Sequence, residues 1–183
     1  SIQTLSGHIA IGSGSIRSDS VVLNSSGAVT QLASGDIRTT SLSVDAQTGI
    51  NLPGSNVLNS LAASNHASGD IVFFAENRLL APAGNIVLRD IVNTGGNVDL
   101  TLNTPAHNIS YIMSGGSQYA ASGSFNVQAT EMFGATVNSN GANFGGLSVT
   151  GGTNTLNTGN TQINNLTLSS TLSPATLGGT GAI

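Results

Sequence analysis

Short apolar phrases separated by polar turns recur along the whole chain. In each phrase two apolar residues flank a middle residue, and a run rich in Gly, Asn, Ser and Thr follows. The phrases are Val21–Leu23, Leu42–Val44, Ile71–Phe73, Val98–Leu100, Phe125–Val127, Leu147–Val149 and Leu166–Leu168. Their last residues are 21, 29, 27, 27, 22 and 19 residues apart. A period in the twenties is typical of a solenoid, in which each turn of chain contacts mainly its neighbours.

Alternation of apolar and polar residues within the phrases predicts strands with one inward and one outward face. A second, shorter phrase follows some of them, such as Ala28–Thr30 after Leu23 and Ile50–Leu52 after Val44. Turns containing glycine are predicted at Ser25–Gly27, Gln47–Gly49, Ala83–Asn85 and Asn93–Gly96. Each repeat is therefore expected to contain two strands and two turns, with room for a third strand.

These features predict an all-β protein, a right-handed parallel β-helix (β-solenoid) of about seven coils. Residues 1–183 are expected to form one solenoid segment, with an irregular or longer loop around residues 103–122. A hairpin meander or sandwich is the competing architecture, because turns about ten residues apart would suit it too. Residues 56–63 (NVLNSLAA) fit either two short helical turns or another strand.

The chain is unusually poor in charge. Charged residues make up 7% of it, against about 25% in typical soluble domains. It has no lysine, and its four arginines, Arg17, Arg38, Arg78 and Arg89, form no cluster in the sequence. With a net charge of −4, a nucleic-acid partner is not expected, because phosphate binding needs grouped basic residues. No apolar run approaches the roughly 18 residues of a transmembrane helix, so membrane insertion of this segment is not expected either.

One group of residues that contains several acids is a candidate catalytic site. Asp70, Arg89, Asp90 and Asp99 could fall on adjacent coils, and β-helical lyases and hydrolases use such carboxylates. An acid beside a strand more often bonds the amides of a turn. The histidines His8, His66 and His107 are far apart and have no neighbouring acid in the sequence. We therefore predict no catalytic residue, no cofactor site and no metal site.

Two further groups of residues are candidates for a structural or contact role. The simple region after Val137 contains Asn154, Asn157, Asn160 and Asn164, whose amides could stack along a solenoid. The segment Thr104–Ser122 contains both tyrosines, Tyr111 and Tyr119. This segment is the candidate contact loop, because loops that leave a rod carry specificity. The alternative is a packing irregularity.

The sequence resembles the β-helical repeat regions of large bacterial adhesins. The resemblance rests on SGDIRTTSLSVDAQTGINL (34–52), GNIVLRDIVNTGGNVDLTL (84–102) and residues 144–183. The family is that of filamentous-haemagglutinin-like exoproteins of two-partner secretion, together with related autotransporter passengers. The resemblance implies an extracellular location at a bacterial cell surface. Residues 1–4 lack the basic start of a signal peptide, so we expect a processed product or a piece of a longer protein.

The expected function is that of a structural and adhesive rod segment of a secreted surface protein. Its partners would be host-cell or matrix glycans and proteins, or other bacteria, bound by many shallow contacts. An alternative is a self-assembling extracellular filament subunit, since neither end carries an obvious polar cap and open strand edges can pair. A lower alternative is a polysaccharide lyase or hydrolase.

Overall fold

The protein is built from parallel strands arranged in stacked sheets. The structure, a computed structural model, describes residues 1–4, 6–76, 86–103, 109–113 and 119–122, and the strands between residues 125 and 179. Within this part of the chain there are strands and turns but no helix. The all-β class with parallel strands is therefore confirmed.

Two large sheets contain most of the strands. Along its main path the first sheet contains β1 (Ile2–Thr4), β4 (Ser20–Ser25), β7 (Ser41–Ala46), β9 (Ser60–Asn65), β11 (Ile86–Asn93), β13 (Ile109–Met113), β16 (Ala135–Asn140), β19 (Asn154–Gly159) and β22 (Thr176–Gly179), and β14 (Tyr119–Ala121) also pairs with β11. The second contains β2 (Ile9–Ile11), β5 (Val29–Gln31), β8 (Ile50–Asn56), β10 (Ile71–Glu76), β12 (Val98–Asn103), β15 (Phe125–Thr130), β18 (Leu147–Gly151) and β21 (Leu166–Ser170). Two smaller sheets pair β3 (Ser15–Arg17) with β6 (Asp36–Arg38), and β17 (Asn143–Phe144) with β20 (Gln162–Ile163).

The apolar phrases lie in register with one another, but in two columns rather than one. In the second sheet Ile71 pairs with Val98, and the column continues through the first residues of the three later phrases. The first two phrases lie in the first sheet, where Val21 pairs with Leu42. The step of 29 residues, from Val44 to Phe73, therefore leads from the first sheet to the second. Apolar alternation is the same in both sheets, so the sequence pattern did not reveal the change.

One apolar core lies inside the two sheets. Alternate residues of each strand are buried, as in β7 and β9, where every second side chain points inward. Burial of alternate positions follows from the pleat of a strand. The largest fully buried side chains are Phe73, Phe125, Leu23, Ile37, Leu42, Ile50, Leu52, Leu58, Leu61 and Ile71. Most of them come from the two large sheets, whereas Ile37 lies in β6 and Leu58 lies between β8 and β9. All belong to a single core cluster.

Three of the four predicted turns follow strands as expected. β4, β7 and β11 end at Ser25, Ala46 and Asn93, and the glycine-containing turns begin there. The turn predicted at 83–85 lies outside the described residues. The helical alternative for residues 56–63 is wrong, because β8 runs to Asn56 and β9 begins at Ser60.

Candidate contact surface

The segment with both tyrosines contains two short strands of the first sheet. Tyr111 in β13 is in register with Ile86, and Tyr119 in β14 is in register with Ile91. Both isoleucines are buried. The side chains of the two tyrosines lie outside the described part of the chain, so their contact role stays a prediction.

At this point of the first sheet, the number of residues between two aligned positions rises from strand to strand. Between two aligned columns β9 has one residue, Ala62, and β11 has two, Arg89 and Asp90. β13 and β14 both pair with β11, and five residues, 114–118, separate them in the sequence. The aligned columns are Leu61, Leu88 and Met113 on one side and Ala63, Ile91 and Tyr119 on the other.

The extra residue of β11 places two charged side chains next to each other on the outer face. Arg89 and Asp90 are both exposed, whereas the residues on either side of them, Leu88 and Ile91, are buried. Arg89 Nε donates to Ser60 Oγ on the neighbouring strand at 3.1 Å. This is the behaviour of a β-bulge, which redirects side chains and bends the strand. We call Arg89, Asp90 and Ser60 the bulge site.

The acidic grouping from the sequence is divided between the two large sheets. Arg89 and Asp90 belong to the first sheet, whereas Asp70 and Asp99 accompany strands of the second. Asp70 Oδ1 accepts the N–H of Asn97 at 2.8 Å, which is the turn-bonding role expected of an acid beside a strand. Asp99 Oδ1 accepts Asn126 Nδ2 at 2.6 Å.

The histidines lie apart in the structure, but one of them has an acidic partner. His66 Nε2 lies 3.0 Å from Asp45 Oδ2, and both side chains are about half exposed. The sequence shows no acid next to His66, and stacking of the strands brings together these two residues, which are 21 positions apart. His8 Nδ1 accepts the N–H of Ala28 at 2.8 Å, and His107 lies outside the described residues. In the part of the chain that the structure describes, no three His, Cys, Asp or Glu side chains form a metal-binding group.

Each strand of the small β3–β6 sheet has an arginine that hydrogen-bonds a side chain of its own strand. Arg17 Nε donates to Ser15 Oγ at 3.1 Å, and Arg38 Nε donates to the Asp36 carboxylate. Ser15 and Asp36 are register partners on the two strands. The hydrogen bond from Arg38 lowers the pKa of Asp36 below its ordinary value of 3.8; partial burial opposes this shift, while Ser15 and the charges of Arg38 and Arg17 add to it.

Buried amide side chains hold the turns at the end of the first sheet. Asn65 and Asn93 are register neighbours and almost fully buried. Asn65 Nδ2 donates to Asn93 Oδ1 at 2.9 Å, and its Oδ1 accepts the N–H of Gly49 at 2.8 Å. Asn93 Nδ2 donates to the carbonyls of Gly69 and Asn97 at 3.0 and 2.7 Å. We call this pair the asparagine ladder.

A second pair of buried amide side chains joins the ends of β5 and β8. Gln31 Nε2 donates to Asn56 Oδ1 at 2.9 Å, and Asn56 Nδ2 donates to Gln31 Oε1 at 3.1 Å. Asn56 also accepts the N–H of Ile37 and donates to the carbonyls of Leu52 and Phe74. These contacts give three backbone groups hydrogen-bond partners inside the protein.

Amide stacking is predicted in a different part of the chain, after Val137. Asn154 and Asn157 lie in β19, but their side chains, like Asn160 and Asn164, lie outside the described residues, so that expectation stays a prediction. A usable signal for the observed ladder is an Asn at the last position of a strand and directly before a glycine turn, at 65 and again 28 residues later.

Comparisons with known proteins give no further assignment. No family model, curated protein or solved structure matches this chain.

Proposed function

We propose that this chain is a structural and adhesive rod segment of a secreted bacterial surface protein. In this proposal the strands form a right-handed parallel β-helix, and its outer faces bind host cells, matrix or other bacteria through many weak contacts. The resemblance to haemagglutinin-like repeat regions supports the location and the adhesive role.

The observation that carries the proposal is continuous parallel pairing. In the first sheet an unbroken order of nine strands runs from β1 to β22, which at about 4.8 Å per strand gives a stack of about 38 Å. The chain alternates between two sheets that share one core. Right-handed crossovers are the rule for parallel strands, and eight returns to the first sheet agree with a coil count near seven.

Cysteine pairs can test the coil arrangement, because the chain has no cysteine of its own. Ser43 and Ala62 are register neighbours, and their outward side chains are partly exposed. In the variant Ser43→Cys/Ala62→Cys we expect a disulfide on mild oxidation, since neighbouring strands bring Cα atoms within bonding range. The matched control is Ser43→Cys/Val72→Cys, which lie in different sheets. A disulfide that forms equally well in the control would contradict the arrangement.

Adhesion itself is tested with beads that carry the folded 183-residue chain at different densities. We expect retention under flow on cell layers, matrix proteins or bacteria, rising more steeply than density because binding is multivalent. Beads with the variant Leu100→Asp, which places a charge in the core, control for unfolded chain. Retention no greater than that of this control on every surface would overturn the adhesive role.

A filament subunit is the second candidate, and the exposed edges at β1, β2 and β3 favour it. In this chain each of these strands has a neighbour on one side only among the described strands. A recess of about 310 Å³ lies beside them, lined by Ile2, Ile9, Ile11 and Ile16. Stacking of copies predicts a mass that rises with concentration and falls in the variant Ile2→Lys. A constant monomer mass at millimolar concentration would exclude it.

The lowest candidate is a polysaccharide lyase or hydrolase that uses Asp70, Asp99, Arg89 or Asp90. Incubation with acidic polysaccharides and an assay for unsaturated products tests it. An activity that is unchanged in Asp70→Asn and Asp99→Asn would show that these acids do not carry it.

A further inference from the structure

Two arginines lie side by side on the small β3–β6 sheet. Arg17 and Arg38 are in register, which puts their backbones about 4.8 Å apart. Like charges at paired strand positions repel and weaken the pairing. The chain has only four basic residues, yet two of them share this register position. Violations of a local rule are expected at functional sites, where another gain compensates for them.

A hydrogen bond from Nε restrains each of the two guanidinium groups. Each arginine donates through Nε to the side chain two residues before it, Ser15 for Arg17 and Asp36 for Arg38. Ser15 and Asp36 are register partners, so the two acceptors lie next to each other on neighbouring strands. Within the described residues the Nη groups make no hydrogen bond. Those groups therefore have donors available for a ligand.

The neighbouring carboxylate balances only part of this charge. Asp36 supplies one negative charge against two positive ones, and its side chain is 20% exposed against 41% for Arg38. The carboxylate therefore lies deeper than the guanidinium that it orients. Asp19, in the bend after β3, is the next acid in the sequence. Its charge opposes the binding of an anion at this position.

We propose that Arg17 and Arg38 form a binding site for a tetrahedral oxyanion, namely the phosphate or sulfate ester group of a ligand. Guanidinium groups bind such oxygens through paired N–H donors in a fixed fork. A group with three free oxygens can accept from both arginines at the spacing of neighbouring strands. The site is exposed, so its affinity is modest and falls as salt concentration rises. This inference does not depend on the adhesive role.

The experiment is an NMR titration of the 183-residue chain that follows the Nε–Hε signals of its arginines. Inorganic phosphate or sulfate is added at constant ionic strength, with sodium chloride as the balancing salt. We expect the Arg17 and Arg38 signals to shift together and to saturate. Arg89, which also donates through Nε to a serine, is the internal control and should not saturate. Phosphorylated and sulfated polymers of equal charge density then show which ester is preferred.

Variants separate a built site from general attraction. Either Arg17→Gln or Arg38→Gln should weaken binding about tenfold, whereas Arg89→Gln should leave it unchanged and Asp19→Asn should strengthen it. The double variant Arg17→Lys/Arg38→Lys keeps the charge and should lose several-fold affinity. Backbone amide spectra confirm that each variant is folded.

The proposal is overturned by any of three results. The first is an equal, unsaturated shift of every arginine signal, which indicates screening alone. The second is an Arg38 response that saturates with unchanged affinity in the variant Arg17→Gln. The third is full affinity in the double lysine variant.

Discussion

At the residue scale, the turns depend on amide side chains that lie inside the protein. Asn65 is fully buried, and its Nδ2 donates to the carbonyls of Ser68 and Gly69 as well as to Asn93. A turn backbone buried without partners would be costly, because each unsatisfied group costs about 1–3 kcal/mol. Asn65 therefore stabilises two levels of the stack at once.

Replacing this residue tests that role. We expect Asn65→Ala to lower the free energy of unfolding by about 3 kcal/mol, since it leaves the Gly49 N–H and the turn carbonyls without their partner. Ser64→Ala, on the partly exposed face of the same strand, should change it by less than about 0.5 kcal/mol. Urea unfolding measures both. Equal effects of the two substitutions would show that the hydrogen bonds of the Asn65 side chain do not stabilise the fold.

A second prediction concerns acid stability. The pKa of Asp36 is lowered in the folded state, so its charged form favours folding at pH above about 3.8, and this contribution is lost as pH falls through the lower folded pKa. The difference in unfolding free energy between the native chain and Asp36→Asn should stay constant from neutral pH to about pH 5 and shrink only below that range.

The strongest cause of the lowered Asp36 pKa, the hydrogen bond from Arg38, provides the control. In an Arg38→Gln background the pKa of Asp36 should move back toward its ordinary value, because the strongest hydrogen bond is gone. The additional effect of Asp36→Asn should then be smaller. If the difference in unfolding free energy between the native chain and Asp36→Asn disappeared well above about pH 5, the lowered pKa of Asp36 would be contradicted.

These polar residues show where sequence reasoning reached its limit. The apolar residues Val98 and Leu100 flank the middle residue of a phrase and share one face of a strand, because alternation directly reports the two faces, and both are buried. Asn65 and Gln31 carry the same sequence signal as a turn or surface amide. Their burial depends on which backbone groups the neighbouring levels leave unpaired, and a single sequence does not contain that information.

At the element scale, glycines in strands allow close contact between neighbouring levels. Gly54 lies buried in β8, and a Cβ at this position would be 2.1 Å from the carbonyl oxygen of Gly35 and 2.7 Å from the Gln31 amide. The Gly54 N–H also donates to Gln31 Oε1 at 3.1 Å. Only glycine permits this approach.

We therefore expect Gly54→Ala to destabilise the fold by about 3 kcal/mol, because the added carbon must displace backbone. Gly14→Ala is the matched control, since a Cβ there meets no atom within 4 Å. It should leave stability within about 0.5 kcal/mol of the native chain. Thermal or urea unfolding of the two variants measures the difference, and similar midpoints would contradict the close contact in β8.

The division of elements between sheets was predicted only in part. The later phrases form one column as expected, for example Val98 with Phe125 and Leu147 with Leu166. The placement of Val21 and Leu42 in the other sheet was not predicted. Both sheets bury the same kind of side chain, so only the lengths of the connections distinguish them, and these vary from level to level.

At the scale of the whole molecule, apolar burial and backbone pairing provide the stability, and charge contributes little. The core cluster extends from Ile9 to Phe125. The Arg38–Asp36 ion pair and the His66–Asp45 contact lie at the surface, with exposed fractions from 20% to 49%. Surface pairs of this kind contribute about 0–1 kcal/mol.

Stability should consequently be almost independent of ionic strength. Between low salt and about 0.5 M sodium chloride we expect the unfolding free energy to change by less than about 1 kcal/mol, since screening has few charges on which to act. Urea unfolding at several salt concentrations measures this, because urea is itself uncharged. A large loss with salt would show that ion pairs are important for the fold.

The rising number of residues between two aligned positions of the first sheet also has a consequence for engineering. In successive strands the chain has one, two and then five residues between the same two aligned columns, and the flanking residues Leu88 and Ile91 are buried. The scaffold therefore already accommodates changes of length at this point. Foreign peptides grafted between Arg89 and Asp90 should be displayed on an intact support, which makes the bulge site a natural position for carrying epitopes or affinity tags.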